Sequence, residues 1–362
     1  MNQIQIPSGM RDLFPADCAG KEKLRAAMLS VYRSYGYRMI ETPLIEYYST
    51  YQNTFSSLAE ETLYKFVDES GQILALRTDM TLPIARVCAT KFASEQPPFR
   101  FAYCSNVYKV RQAFAGKRNE VTDCGVELIG LDASSDLEVL CCALDVMRSW
   151  NIEECVLEIG NSDFYKLAAR QAGLDEETTK KLADLIDRKA LPETADLLKE
   201  ISLSGEQAEF FRRLPLMNGR NALQEAYEYS FSEELKGIIA GLCELKKDLE
   251  DLGYGHRVSF DLGKVPHLDY YTGIIFEGYV QGIGTSVLSG GRYDDLLRKL
   301  GRDLPAIGFG VKLDVLLDAV RTEEAPVRKL YYKPEERTAA MRKAQEMRRE
   351  GPVELIPERS GS

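Results

Sequence analysis

VPHLDYYTGIIFEGYVQGIGTSVLSGGRYDDLL, residues 265–297, is the stretch from which the fold can be read. Residues 271–280 are rich in Tyr, Ile and Phe, residues 281–284 supply two glycines, and residues 285–288 resume an apolar run. Two such runs joined by a short glycine-containing turn are typical of a β-hairpin. The stretch therefore predicts two neighbouring antiparallel strands.

Polar groups lie at both ends of the predicted hairpin. Gly290 and Gly291 are expected to break the second strand and to leave Arg292 and Asp294 beside a strand end rather than inside a sheet. Residues 269–271, Asp-Tyr-Tyr, add an anion and two phenols on the other strand. The pattern favours a site for a small polar ligand. The alternative is a pair of half-buried sheet tyrosines and a surface arginine.

The composition is that of a globular protein with more acidic than basic residues. The chain has 362 residues, enough for two or three domains. It carries 46 Lys and Arg residues against 56 Asp and Glu residues, a formal net charge of −10. Because this charge repels phosphate backbones on average, nucleic acid is not expected to be the main partner.

Cysteine, histidine and hydropathy patterns argue against several classes of site. The eight cysteines include no C-x-x-C pair and the chain has only two histidines. Neither a zinc site nor a disulfide framework is predicted, and reduced cytosolic thiols are expected. The chain does not open with a basic segment followed by an apolar core, and no apolar run approaches about 18 residues. We expect a cytoplasmic protein without a membrane segment, metal or cofactor.

A helix and a short strand are predicted near the start of the chain. The strand covers 37–42 and is stopped by Pro43. The periodicity leaves open whether the two elements form a subunit interface or a core. The helix is capped by Asp17 and its apolar face consists of Leu24, Met28, Val31, Tyr32 and Tyr35.

The segment LRTDMTLPIAR, residues 76–86, carries the first candidate ligand groups. Arg77, Asp79 and Thr81 alternate, so they share one face if a strand continues through them, and a helix is expected to start near Thr81. A carboxylate and a hydroxyl two residues apart suit an ammonium or imidazole donor. Helix capping by Asp79 is the equally favoured alternative.

A second pair of acidic residues lies on the strand predicted at 122–129. Asp123 and Glu127 are four residues apart, hence on the same face. Two inward carboxylates cost several kcal/mol unless they meet cations or hydrogen-bond donors. Arg77, Lys109 and Arg111 are the candidate cations within the chain. The alternative to a ligand site is a structural salt-bridge network.

Several of these segments together resemble the catalytic core of histidyl-tRNA synthetases, over about residues 6–160 and 256–320. The resemblance implies an α+β fold, a class II aminoacyl-tRNA synthetase-like antiparallel sheet flanked by helices. It also implies that the helix and strand ending at Pro43 correspond to motif 1, through which a homodimer would form. The segments are Gly9-Met10-Arg11-Asp12, Leu76 to Thr81, Cys124-Gly125-Val126-Glu127, Leu268 to Thr272 and Gly290 to Leu297.

The resemblance also implies a histidine pocket. Asp79, which replaces the usual Glu, and Thr81 fall where the family contacts the histidine ammonium. Glu127 matches the pocket carboxylate, and Asp123 stands where Gln is usual. Arg111 and Arg292 are open candidates for the ligand carboxylate. The expected histidine-binding residues are Asp79, Thr81, Arg111, Asp123, Glu127, Tyr270 and Tyr271, the last two lining the imidazole pocket.

The adenylation machinery of the family is not matched. Motif 2, F-R-x-E, corresponds to 108–111, Tyr-Lys-Val-Arg, and motif 3, G-x-E-R, to 312–315, Lys-Leu-Asp-Val. Pro266 stands at the position of the catalytic arginine. Because phosphoryl-type displacement depends on such cations, no catalytic residue is expected and the chain is predicted not to be an enzyme.

A retained histidine pocket without adenylation residues resembles the regulatory subunits of ATP phosphoribosyltransferase. That family implies a role in the first step of histidine biosynthesis, with a short-form catalytic subunit as partner. It further implies a hetero-octamer of four regulatory and four catalytic chains, activated by assembly and inhibited by L-histidine. The alternatives are an active histidyl-tRNA synthetase and a synthetase-like module that senses tRNA, and the acidic balance makes tRNA unlikely as a ligand.

The same comparison divides the chain into parts. Residues 1–160 and 256–321 are expected to form the class II synthetase-like core domain. Residues 161–255 read as a run of helices and are expected to be a helical insertion. Residues 322–362 are expected to be a linker and the remnant of a C-terminal α/β domain.

Overall fold

A computed structural model describes residues 5–55, 60–111, 118–265, 271–320 and 326–358 of the chain. The chain divides into two compact units. The first consists of Met1–Asp12 and Lys21–Val320, and the second of Leu13–Gly20 and Arg321–Ser362.

Strands and helices alternate irregularly along the chain. The strands are β1 (Arg38–Met39), β2 (Ile45–Tyr47), β3 (Lys65–Val67), β4 (Ile73–Leu76), β5 (Phe99–Tyr108), β6 (Glu120–Ile129), β7 (Cys155–Asn161), β8 (Val258–Phe260), β9 (Ile274–Val280), β10 (Leu288–Arg292), β11 (Ala306–Lys312), β12 (Arg328–Tyr332) and β13 (Val353–Pro357). The helices are α1 (Pro15–Ser34), α2 (Tyr48–Thr54), α3 (Thr81–Thr90), α4 (Asp136–Ser149), α5 (Ser162–Gln171), α6 (Glu176–Asp187), α7 (Leu191–Glu200), α8 (Gly205–Arg213), α9 (Ala222–Tyr229), α10 (Glu233–Asp251), α11 (Asp294–Lys299), α12 (Leu313–Leu317) and α13 (Arg337–Met347).

One large sheet dominates the first unit. Among the described residues it has eight strands in the order β1-β5-β6-β11-β10-β9-β7-β8. Neighbours are antiparallel except at the two edges, where β1 pairs with β5 and β7 with β8 in parallel. The predicted α+β arrangement, an antiparallel sheet flanked by helices, is therefore present.

The predicted hairpin is β9 and β10, but its second strand is not broken by glycine. β10 runs through Gly290 and Gly291 to Arg292 and pairs on both sides, with β9 and with β11. A Cβ on Gly290 would lie 2.5 Å from the carbonyl oxygen of Gly308, and one on Gly291 would lie 2.9 Å from the ring of Tyr271. The expectation was wrong because these glycines allow close packing inside the sheet rather than ending it.

The first helix and strand differ slightly from their predicted limits. α1 begins at Pro15, so Asp17 lies in its first turn and accepts a hydrogen bond from the amide of Phe14 at 3.3 Å. Met28 and Tyr32 of the predicted apolar face are fully buried. β1 covers only two residues of the strand predicted at 37–42.

Helices fill the chain between β7 and β8. α5 to α10 begin mostly at capping residues: Asn161, Asp175, Ser204 and Ser232 each accept an amide hydrogen bond at a helix start. An aromatic cluster lies in their core, where the rings of Phe164 and Phe210 are 5.3 Å apart. The segment is thus helical, as its periodicity predicts.

Two smaller sheets complete the described elements. β2, β4 and β3 form an antiparallel sheet of the first unit in that order. In the second unit β12 and β13 pair in parallel, and α13 lies between them in the chain. No helix in the described ranges is both long and apolar enough to cross a bilayer.

The cysteines correct one expectation. Cys104 and Cys124 are joined by a disulfide, whereas the other six are free. The two residues are cross-strand partners on β5 and β6, with their Cα atoms 4.0 Å apart. The expectation of reduced thiols is wrong for this pair because strand pairing, which sequence spacing does not reveal, brings the two sulfur atoms together.

Candidate functional site

A pocket opens over one face of the large sheet, among β5, β6, β10 and β11 and the start of α3. It encloses about 840 Å³, counting its opening to solvent. Carboxylates and cations both line it, so it is suited to a ligand that carries both signs of charge. Its charged residues in the described part of the chain are Asp79, Lys109, Arg111, Arg118, Asp123, Glu127 and Lys312.

Glu127 is the most enclosed carboxyl group of the pocket, with 1% of its side chain surface exposed. Oε1 accepts a hydrogen bond of 2.7 Å from the Thr81 hydroxyl, and Oε2 accepts one from the hydroxyl of Tyr293. Burial raises the pKa of Glu127 to about 8, against the lowering effect of these two donors. The group is therefore poised to exchange a proton near neutral pH.

Asp79 caps α3 and also lies in the wall of the pocket. Its Oδ1 accepts a hydrogen bond of 3.0 Å from the amide of Leu82 in the first turn of α3, and Oδ2 accepts one of 2.9 Å from the hydroxyl of Thr78. The helix cap is therefore real. Asp79 is also half-buried in the pocket wall, and its charge raises the pKa of Glu127.

Asp123 lies on the same face of β6 as Glu127 and also lines the pocket. Burial raises its pKa to about 7, while the nearby Lys312 and Lys109 act in the opposite direction. Its Oδ1 is buried and has no hydrogen-bond partner among the described residues. An unmet buried acceptor is costly, so this oxygen is a natural partner for a cationic ligand group.

Glycines on β11 make the room that the two carboxyl groups occupy. Gly308 is the cross-strand partner of Glu127, and Lys312 is that of Asp123. A Cβ on Gly308 would lie 1.8 Å from Oε2 of Glu127, and one on Gly310 would lie 2.4 Å from Oδ1 of Asp123. The G-x-G of β11 therefore lets both carboxyl groups lean over the neighbouring strand.

Two candidate cations lie elsewhere. The Arg77 guanidinium donates to the backbone carbonyls of Thr42 at 2.8 Å and Asn106 at 2.9 Å and does not line the pocket. It is one of three candidate cations for the carboxylates, but β4 ends at Leu76 and the chain turns before α3. Since Arg77 no longer shares a strand face with Thr81, it anchors the loop after β1 instead.

Arg292 is structural rather than ligand-facing. Only 3% of it is exposed, and it donates to Asp136 Oδ1 at 2.9 and 2.5 Å and to Asp294 Oδ1 at 3.0 Å. The carbonyls of Leu131 and Asp132 take further hydrogen bonds. Every donor direction of the guanidinium is used, so Arg292 is not available to a ligand carboxylate.

The tyrosine pair is only partly described. Tyr271 lines the pocket, and its carbonyl accepts hydrogen bonds from Ser162 Oγ at 3.2 Å and Lys166 Nζ at 2.6 Å. Tyr270 and Pro266 lie outside the described residues. The remaining expected site residues, Asp79, Thr81, Arg111, Asp123 and Glu127, all line this pocket.

Sequence reasoning did not find two pocket residues that lie next to the buried carboxyl groups. Tyr293 donates to Glu127, and Lys312 lies beside Asp123. Tyr293 directly follows Arg292, the last residue of β10, and it meets Glu127 only through a tertiary contact. Lys312 occupies the first position of the motif 3 segment in sequence. The available signal was the alternation of Gly308, Gly310 and Lys312 on one strand face.

The positions of the adenylation motifs have other contacts. Asp314, at the motif 3 carboxylate position, accepts a hydrogen bond from the amide of Thr122 and forms an ion pair with Lys21 at 3.2 Å. Val315 does not line the pocket. No group of three His, Cys, Asp or Glu side chains in the described ranges could hold a metal ion.

Comparison with known proteins gives two related results, one from a family model and one from individual relatives. A family model described as histidyl-tRNA synthetase matches residues 9–316. The ATP phosphoribosyltransferase regulatory subunit of Caldanaerobacter subterraneus subsp. tengcongensis is 35% identical over 97% of this chain and 93% of that protein. The protein of the same name from Acetivibrio thermocellus is 33% identical over 96% of this chain and 85% of its own length.

Solved structures agree. The crystal structure titled as an ATP phosphoribosyltransferase regulatory subunit/histidyl-tRNA synthetase from Bacillus halodurans has a TM-score of 0.89 and 33% identity, covering 99% of this chain and 94% of that one. Histidyl-tRNA synthetase from Nostoc sp. PCC 7120 has a TM-score of 0.81 at 21% identity, covering 100% and 88%, which shows a shared fold. The chain belongs to the family of ATP phosphoribosyltransferase regulatory subunits, which is built on the histidyl-tRNA synthetase fold.

Proposed function

We propose that this chain binds L-histidine in the pocket described above and, with a short-form catalytic subunit, forms an ATP phosphoribosyltransferase whose activity histidine inhibits. The observation that carries the proposal is the enclosed pair of carboxyl groups, Asp123 and Glu127, in a pocket that also presents cations. Histidine carries two groups that can be cationic and one anionic group. The pocket therefore offers carboxyl groups for the cationic groups of the ligand and cations for its carboxylate.

Individual ligand contacts follow from the same arrangement. Glu127, held by Thr81 and Tyr293, accepts the imidazole N–H, and Tyr271 lines the ring site. Tyr270 is assigned to the ring by the family resemblance alone and lies outside the described residues. Asp79 and Asp123 take the ammonium, with Thr81 beside them. Arg111 remains a cation on the pocket wall. Burial supports strong electrostatic contacts here because the local dielectric constant is lower than that of water.

The lack of adenylation groups supports a regulatory role. A lysine, Lys109, stands where a synthetase presents an arginine that grips the α-phosphate, and a point charge cannot provide that bidentate fork. Val315 replaces the motif 3 arginine. Relatives named as regulatory subunits are consistent with a non-catalytic chain.

Assembly with the catalytic subunit is the second part of the proposal. Four regulatory and four catalytic chains would form a hetero-octamer in the cytoplasm, and histidine would favour a less active arrangement by binding it more tightly. Within it, residues 1–160 and 256–321 would act as the histidine-binding core, 161–255 as a helical insertion and 322–362 as a linker followed by a small α/β segment.

A homodimer through α1 and β1 would be the building block. Met39, on the edge strand β1, is 40% exposed, and the β2-β4-β3 sheet exposes Ile45, Phe66 and Val67. Exposed apolar side chains of this size are typical of an interaction surface when they form one patch. Sedimentation of Met39→Asp tests this, with Met341→Asp on α13, 45% exposed, as the matched control. Only Met39→Asp should shift the chain towards monomer, and a wild-type monomer would contradict the dimer.

Calorimetric titration tests the function as a whole. In that titration L-histidine should bind the purified chain. In a separate assay with ATP and magnesium, the chain should not catalyse pyrophosphate exchange. In an activity assay, addition of the chain should activate a short-form catalytic subunit from the same genome. Histidine should then inhibit that activity. Histidine-dependent pyrophosphate exchange would instead identify an active synthetase, and tight tRNA binding in a filter assay would identify a tRNA sensor.

A further inference from the structure

Lys312 and Asp123 have opposite charges and lie side by side without a direct contact between their charged groups. They are cross-strand partners on β11 and β6, so their side chains leave the same face of the sheet with Cβ atoms about 5 Å apart. Both line the pocket. No hydrogen bond or ion pair joins these two described residues. Instead, Lys312 Nζ donates to O and Oγ of Ser286, at 3.2 Å each.

Both partners keep hydrogen-bonding capacity. An ammonium group has three donors, and Ser286 accepts two of them. Asp123 Oδ1 has no partner in the described part of the chain. A donor and an acceptor of opposite charge thus lie side by side on the wall of one pocket, each able to take a further group.

We propose that this pair recognises the zwitterionic end of an α-amino acid, with Lys312 binding the α-carboxylate and Asp123 the α-ammonium. The inference rests on the proposed histidine site and adds the group that meets the ligand carboxylate. Both ligand charges are attached to one carbon atom, so their receptors must be neighbours. A cross-strand pair provides that spacing.

The position of Glu127 fits the same ligand. It lies four residues from Asp123 on β6, about 13 Å away at the Cα atoms. The two side chains leave the same face of β6, and the distance between them accommodates one small molecule that has a charged end and a ring. The ring would therefore lie towards Glu127 and Tyr293 while the zwitterion lies at Lys312.

Other cations are less well placed for the carboxylate. Arg118 is held by both oxygens of Asp318, at 2.9 and 2.7 Å, and by the carbonyl of Asp314. Lys109 and Arg111 follow the end of β5. The residue of β5 that pairs with Asp123 is Ser105, which lies earlier in the strand. Lys312 alone among the pocket cations is paired directly with Asp123 in the described sheet.

The test compares two ligands and three variants by calorimetric titration. L-histidinol keeps the ammonium and the imidazole but has a hydroxymethyl group in place of the carboxylate. Wild type should bind histidine more tightly than histidinol. Lys312→Met should weaken histidine about ten- to a hundredfold, the usual range for a charged hydrogen bond. It should leave histidinol binding unchanged or tighter, because a cation beside Asp123 has been removed.

Two further variants complete the design. Lys312→Arg should retain most of the preference for histidine, and Lys181→Met on the exposed surface of α6 should behave as wild type. If Lys312→Met weakens both ligands equally or neither, the carboxylate assignment is wrong although the histidine site stands. If wild type binds neither ligand, the histidine site is wrong and this inference falls with it.

Discussion

The Thr81 hydroxyl donates a hydrogen bond of 2.7 Å to Oε1 of Glu127, 46 residues further along the chain. This bond ties the first residue of α3 to a residue near the end of β6. The hydroxyl of Tyr293 holds the other carboxyl oxygen. Glu127 is thereby fixed in position before any ligand arrives, which reduces the entropy lost on binding.

The first prediction concerns stability against pH. Burial raises the pKa of Glu127 to about 8 and that of Asp123 to about 7, both above the values in an unfolded chain. Between about pH 4 and pH 8 the folded chain then holds more protons, so the free energy of unfolding falls as the pH rises. Glu127→Gln should weaken this fall. Urea unfolding at pH 5 and pH 8.5 measures it, and equal slopes for variant and wild type would contradict the pKa shift.

Histidine affinity should be greatest between about pH 7 and pH 8. Below pH 7, Asp123 is protonated in the empty pocket and must release that proton to bind an ammonium, so affinity falls by up to about tenfold per pH unit. Between the imidazole pKa of about 6.5 and pH 8, Glu127 and the imidazole ring together hold one proton both before and after binding. This pair therefore causes no change in affinity across that range. Above pH 8 that proton is lost from Glu127, and binding must take one up.

Titration from pH 5.5 to pH 9.5 in two buffers of different ionisation enthalpy counts these protons. Asp79, Lys109 and Lys312 also act electrostatically on the two carboxyl groups, so the pH profile alone does not identify the titrating group. Glu127→Gln is the control, because it should remove only the fall in affinity above pH 8. A flat profile across this range would rule out proton-linked binding by the carboxyl pair.

Arg292→Met should destabilise the fold without a ligand contact being involved. The substitution leaves Asp136 and Asp294 near β10 without their cation, and breaking a buried ion pair from one side costs about 3–5 kcal/mol. Urea unfolding measures the loss. Arg298→Met is the matched control, because Arg298 is exposed and its ion pairs with Asp295 and Asp303 are solvated. Similar losses for both variants would contradict the structural role of Arg292.

Gly308→Ala should disturb the pocket from the neighbouring strand. The new methyl group would lie 1.8 Å from Oε2 of Glu127, so the carboxyl group must move away from Tyr293. We expect a loss of about 1–3 kcal/mol and at least tenfold weaker histidine binding. Gly241→Ala on α10 meets no atom within 4 Å and should stabilise by up to about 1 kcal/mol. Unchanged histidine affinity in Gly308→Ala would show that Glu127 does not contact the ligand.

Local sequence determined the elements and much of the pocket. Period-two alternation predicts that Asp123 and Glu127 share a face, because successive side chains of a strand point to opposite sides. Glycine and apolar spacing predicts the β9–β10 hairpin, and the residue pattern after β7 predicts helices. These features depend on neighbours in the chain and can therefore be read from the sequence.

Tertiary structure decided which charges meet. Arg77 and Arg292 were plausible partners for ligand or carboxylate, but they bind the chain after β1 and Asp136 instead. Lys312 lies opposite Asp123 because β11 pairs with β6 in one particular register. A shift by one residue would turn its side chain to the other face of the sheet. Register between strands nearly 190 residues apart is set by packing of the whole sheet, which local periodicity does not encode.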